Sequence, residues 1–188
     1  MLSEEMRLLG IAGSLRHGSY NRALLRAAIE SAPDGVVVET AEIGDIPLYN
    51  ADIDTAEPPE SVRLFRERIG NADGLLIASP EYNYSIPGGL KNAIDWASRP
   101  ATSSVLKRKP VGIMSTATGR FGGVRAQLAL RQVFVFTESY VMLKPELILP
   151  NAGNIFDENG HLVDDDVRAL LAQFMESFSD WTRRMRVD

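Results

Sequence analysis

One short stretch constrains the fold more than any other: the apolar run Leu8 to Ala12, the polar turn behind it, and the helical pattern that follows. Leu8-Leu9-Gly10-Ile11-Ala12 has no polar alternation, so it reads as the centre of a strand (7–13) covered on both faces. Such a strand needs a sheet with a layer on each side. Gly13 ends it. From Ser19 to Ala32 the pattern turns helical, with Leu24, Leu25, Ala28 and Ile29 on one face, and Pro33-Asp34-Gly35 stops the helix. A strand, a loop and a helix in that order aim free backbone N–H groups and the positive end of the helix at the loop's contents.

The alternation repeats. Val36 to Thr40 is a second strand, and the Gly- and Pro-punctuated segment 42–60 crosses back over the sheet. Glu60 to Asn71 is a helix with Val62, Phe65 and Ile69 facing inward. Gly74 to Ser79 is a third buried strand, and Gly88 to Ser98 the next helix. After the basic turn Lys107 to Pro110, Val111 to Ser115 is a fourth strand and Gly123 to Thr137 a helix. The fifth strand falls within Tyr140 to Leu149, Asn151 to Gly160 is rich in turns, and Asp164 to Arg184 closes the chain as a helix. Right-handed crossovers then give one α/β domain over 1–188: a doubly wound, five-stranded parallel sheet of order 2-1-3-4-5, with helices on both faces. In such a sheet the ligand sits outside the carboxyl ends of the strands where the order reverses, between strands one and three. Loops 13–21 and 80–87 should therefore meet, with loop 115–123 beside them.

Composition limits the chemistry. With no cysteine, disulfides, thiolate metal sites, a cysteine nucleophile and dithiol redox chemistry are excluded, so any redox role needs a bound cofactor. The net charge of −5 argues against nucleic acid as a partner. The acidic opening Met-Leu-Ser-Glu-Glu-Met does not read as a signal peptide, and no apolar run approaches the roughly 18 residues of a membrane span. A cytoplasmic protein that binds neither membrane nor nucleic acid is expected.

The first loop carries Gly13, Ser14, Leu15, Arg16, Ser19 and Asn21. It lacks both Gly-x-Gly-x-x-Gly and Gly-Lys-Ser/Thr, which removes the dinucleotide and triphosphate readings and leaves a single phosphate monoester. Ser14, Ser19 and Asn21 would serve equally as turn and cap residues; Arg16, a loop arginine with no neighbouring acid, favours an external anion. His17 reads as a solvated loop residue. The loop Pro80-Glu81-Tyr82-Asn83-Tyr84-Ser85-Ile86-Pro87 offers aromatic rings suited to lining a planar ligand. Glu81 is either a general base or, the favoured reading, an acceptor for backbone N–H groups. Ser115, Ala117 and Gly119 lie in a small-residue loop that lets backbone approach a flat ligand. Arg120 is a contact for a second, anionic substrate or a solvated arginine. Lys91 and Asp95 form a helix pair or an intersubunit contact, and Trp96 packs or meets a partner chain.

Three segments together resemble the NADPH-dependent FMN reductase family, most closely its quinone and chromate reductase branch. They are Gly13-Ser14-Leu15-Arg16-x-x-Ser19-x-Asn21, the run Pro80 to Trp96, and Gly122-Gly123-x-Arg125-x-Gln127. The resemblance covers about residues 7 to 150. It implies a flavodoxin-like fold and a non-covalently bound FMN. Ser14, Arg16, Ser19 and Asn21 would hold its phosphate; Glu81, Tyr82, Asn83 and Tyr84 would line its isoalloxazine; Ser115 to Gly119 would flank the ring and ribityl chain. It further implies homodimers or homotetramers, with the region Tyr84 to Trp96 at the contact. The expected activity is an NAD(P)H-dependent oxidoreductase: hydride passes from NADPH or NADH to flavin N5, then by a ping-pong sequence to a quinone or another acceptor (flavin, azo dye, nitroaromatic or chromate). No catalytic side chain is required. The competing readings are an FMN-binding electron carrier that does not use NAD(P)H, and an interaction domain without cofactor.

Overall fold

The computed structural model describes residues 5–186; the leader expectation rests largely on residues 1–4, outside that range. Six strands and six helices follow in chain order: β1 Met6–Ala12, α1 Tyr20–Glu30, β2 Val36–Ala41, α2 Glu60–Asn71, β3 Gly74–Ala78, α3 Gly88–Ala97, β4 Pro110–Thr116, α4 Val124–Phe136, β5 Tyr140–Val141, β6 Leu147–Leu149, α5 Ala152–Ile155 and α6 Asp165–Met185. The sheet is parallel throughout with order β2-β1-β3-β4-β5, as the alternating pattern predicts.

The sheet's two faces bury separate cores. Met6 and Leu8 of β1, Leu76 of β3 and Met114 of β4 pack against Leu24 and Ala28 of α1 and Phe174 and Phe178 of α6. Leu9 and Ile11, Leu75 and Ile77, and Val111 and Ile113 pack on the other side against Phe65 of α2, Trp96 of α3 and Phe134 of α4. Successive strand residues therefore point to opposite layers, and both layers are apolar. Gly112 lets α6 settle on β4: a Cβ there would lie 3.0 Å from the Phe178 ring.

The fifth strand differs from its expectation. Two short strands replace it. Tyr140–Val141 pairs with the start of β4, and Leu147–Leu149 with its end. Pro145 lies between them, and a proline has no N–H to continue a ladder. The turn-rich segment also contains a short helix, α5, and an antiparallel bridge between Phe156 and Leu162. Trp96 is fully buried and its indole N–H donates to Pro47 O at 2.8 Å, so it packs internally. Lys91 and Asp95 pair with each other at 2.6 Å. Among the described residues no helix is long and apolar enough to cross a membrane.

Candidate functional site

The loops after β1, β3 and β4 emerge together at the carboxyl end of the parallel sheet. Gly13 N–H donates to Ala78 O, tying the first loop to the end of β3. Ser14 and Tyr82, 68 residues apart in sequence, share a hydrogen bond between hydroxyls at 3.2 Å. Ser14, Arg16 and residues 19–21 of the first loop line one crevice with residues 80–82 and 116–118. It lies where the strand order reverses, the place that ligands occupy in open α/β sheets.

The first loop is shaped from within. Ser19 caps α1, its hydroxyl accepting Asn21 N–H at 3.2 Å, and Ser14 Oγ accepts Arg16 N–H at 3.4 Å. Arg22 donates to Ser14 O through Nε at 3.0 Å while its fork grips Glu42. Sequence reasoning missed Arg22; its separation from Glu42 in sequence hides the pair. Leu15 is half exposed, turned toward Gly44 rather than the crevice. Arg16 is exposed and forms no ion pair among the described residues. The backbone N–H groups of Leu15, His17 and Gly18 have no acceptor among the described residues. Hydroxyls, open N–H groups, a helix N-terminus and an uncommitted guanidinium thus stand together.

Asn21 has a different job from the one its type suggests. Its Nδ2–H donates to Thr116 O at 2.9 Å, and its Oδ1 accepts Thr116 N–H at 3.1 Å. Both polar ends of the amide are occupied, so Asn21 clips the first loop to the end of β4.

Tyr82 N–H and Ser85 N–H donate to each other's residue through paired backbone bonds at 2.9 and 3.0 Å, closing a tight turn. Asn83 and Tyr84 at its tip have φ of 50° and 65°. Turns of this mirror-image type need positive φ at both central positions, which suits Asn and opposes Tyr. Tyr84 is held by an outside contact: the Arg125 guanidinium lies 3.9 Å from its ring centroid. Glu81 fixes that arginine in turn, accepting Arg125 N–H at 3.0 Å and Nε–H at 2.5 Å. Glu81 therefore acts as the favoured reading has it, as an acceptor for a backbone N–H, and also balances a guanidinium. Pro80, Glu81 and Tyr82 line the crevice; Asn83 and Tyr84 form the exposed tip beside it.

In the third loop, Ala117 lines the crevice together with Thr116 and Thr118, which lie within the Ser115 to Gly119 segment but are not among the residues singled out from the sequence. Ser115 is fully buried behind the loop. Its hydroxyl donates to Gly122 O at 2.7 Å and accepts from Gln127 Nε2 at 2.9 Å. Gly119 is exposed and outside the crevice wall. Gly123 starts α4 with φ of 89°, and a Cβ there would lie 2.9 Å from that of Ser115. Only glycine lets the loop fold back so closely.

Comparison with known proteins gives one answer at three levels. The family model described as NADPH-dependent FMN reductase matches residues 6–154. An NAD(P)H-dependent FMN reductase of Pseudomonas aeruginosa is 48% identical over 185 residues, covering 98% of this chain and 100% of that protein. A quinone reductase of Escherichia coli K12 is 40% identical over 189 residues, covering 99% and 100%. Among solved structures, FerB from Paracoccus denitrificans, a flavoenzyme NAD(P)H:(acceptor) oxidoreductase, superposes with a TM-score of 0.88 at 33% identity, covering 95% of this chain and 98% of that one.

Proposed function

Since this chain belongs to the NADPH-dependent FMN reductase family, we propose that it works as one FMN-binding domain that takes electrons from NAD(P)H and reduces quinone-type acceptors. The convergence of Ser14 and Tyr82 at 3.2 Å carries this reading, because it joins an anion cradle to an aromatic wall in one crevice. The donor set fits FMN. Ser14, Ser19, Arg16 and the open N–H groups ahead of α1 suit a phosphate monoester. Tyr82, Pro80, Ala117 and Thr118 suit the edge and face of a planar ring. When bound, FMN supplies two-electron transfer from the nicotinamide to the acceptor.

The chain's own residues bind and orient. Arg16 neutralises the phosphate, the Ser14 and Ser19 hydroxyls donate to its oxygens, and Asn21 holds the first loop against the third. Glu81 keeps Arg125 and the 82–85 turn in place. Tyr82 is 48% exposed, so the mouth beside it stays open to both substrates in turn. Flavins, azo dyes, nitroaromatics and chromate fall within reach of the same open mouth. Large apolar side chains on the outer face of α4, Leu128, Val135 and Phe136, are exposed and support assembly as a homodimer or homotetramer. Initial rates at varied NADPH and quinone test the shared mouth. Parallel double-reciprocal lines are expected; intersecting lines would require two separate places and refute it.

A further inference from the structure

The arginines around the crevice fall into two groups. Arg22 is bound by Glu42, Arg125 by Glu81, and Arg26 donates to Gly160 O. Arg131 is paired with Glu146 and Met142 O. Arg26 has a carbonyl acceptor but no carboxylate partner; Arg16 and Arg120 alone among these have side chains with neither an ion pair nor a hydrogen-bond acceptor among the described residues. Arg16 stands at the cradle ahead of α1. Arg120 stands on the third loop, exposed, with its guanidinium 4.8 Å from the centroid of Phe121. Phe121 is itself 47% exposed and touches Arg125 at 4.6 Å, which in turn lies over Tyr84. A continuous shelf of alternating guanidinium and aromatic groups therefore runs outward from the 82–85 turn and ends in a free cation.

We infer that Arg120 is a specificity-determining residue that binds the 2′-phosphate of NADPH, with the adenine resting on the exposed Phe121 side of the shelf. This rests on the function proposed above. The chain carries a net charge of −5, so its long-range field opposes an anionic nucleotide and opposes NADPH more than NADH. A local unpaired cation is then what reverses the preference. A guanidinium held beside an aromatic ring keeps its fork of N–H donors in plane and available. A phosphate monoester on an adenine ribose presents an anion next to a flat ring, the same pairing in complement, and its dianion accepts a bidentate fork. Arg125, although nearer the turn, has its charge answered by Glu81 and cannot discriminate in this way.

The test uses the purified holoenzyme. Calorimetric affinities for NADP+ and NAD+ are measured with KM values for NADPH, NADH and a neutral quinone, in wild type and in Arg120→Ala, Arg120→Lys and Arg184→Ala. Arg184 is an exposed arginine of α6, away from the crevice, and controls for the loss of one charge. Arg120→Ala should weaken NADP+ and NADPH about three- to tenfold. NAD+, NADH and quinone should move less than about twofold on the same scale. Arg120→Lys should recover part of the loss, and Arg184→Ala should change nothing. Added salt should weaken NADPH binding in wild type more than in Arg120→Ala, because an exposed ion pair is screened. Equal weakening of both nucleotides would place Arg120 on the shared pyrophosphate and overturn the inference, as would no weakening of either. A wild-type protein that binds NADP+ through Arg120 but oxidises neither reduced nucleotide would instead refute the proposed function.

Discussion

Replacing Asn21 by Ala separates two roles that its side chain could have. Asn21 is 3% exposed and both of its polar atoms bond to the Thr116 backbone. Thr116 is 1% exposed. Truncation leaves its N–H without Asn21 Oδ1 and removes one bond from its carbonyl. A buried group stripped of its partner costs about 1–3 kcal/mol. Two such losses, with the carbonyl at the low end, give about 2–4 kcal/mol, against a total stability of order 5–15 kcal/mol. For a chain of this size that lowers the melting temperature by about 5–15 °C. The assay is urea or thermal unfolding of the FMN-free variant beside wild type, followed by FMN titration. A residue that only touched phosphate would leave the FMN-free stability unchanged and weaken FMN alone. Stability within about 0.5 kcal/mol of wild type, with FMN binding weakened, would refute the clip and restore Asn21 as a ligand.

Arg16→Ala should do the reverse: unfolding is unchanged, since the side chain is exposed and unpaired, while FMN affinity falls about ten- to a hundredfold, the worth of one charge-assisted hydrogen bond. Fluorescence titration of FMN into the apoprotein reads it, and an unchanged Kd would remove Arg16 from the site. Glu81→Ala should cost about 1–3 kcal/mol, because the Arg125 N–H and guanidinium both lose their acceptor, and should raise quinone KM by releasing the 82–85 turn. Full stability in that variant would show that the Glu81 pair does not hold the turn. Lys109, half-buried with its ammonium donating to Ala72 O and Gly70 O, has its pKa lowered by partial burial first, with the Asp73 charge opposing and Arg186 adding. The unfolded chain then binds more protons between the lowered value and 10.5, so stability contributed by this site rises with pH across that window. Lys109→Met should flatten the rise in a series of unfolding curves from pH 8 to 10.5; an unaltered slope would assign it to another group.

The layered sheet was legible because its signals are local. Apolar runs such as Leu8 to Ala12 and Gly74 to Ala78 need no partner to be recognised, and their alternation with helical spacing dictates the topology. Ser19 as the cap of α1 and the meeting of the first and third strands' loops follow from the same reasoning. What escaped depends on pairs distant in sequence. Asn21 and Thr116 are 95 residues apart, and Glu81 and Arg125 are 44 apart. An Asn in a polar loop suits a phosphate or a backbone amide equally, and only the folded chain decides. Tyr84 contradicts the local preference for Gly or Asn at positive φ, and the compensating cation comes from another helix. Ser115 ends the fourth strand as expected, yet its hydroxyl is buried against Gly122 and Gln127 rather than turned to the crevice, a contact made by the loop folding back.

Anaerobic titration of the purified protein with NADPH, followed by visible absorption, tests the central claim most directly. The protein should be yellow, release FMN on denaturation, and lose its flavin absorbance in proportion to added NADPH until one equivalent per bound FMN is consumed; a quinone should then restore the colour without oxygen. Flavin that stays oxidised in excess NADPH would make the chain an electron carrier. A colourless protein that takes up no added FMN would contradict the assignment of the crevice itself.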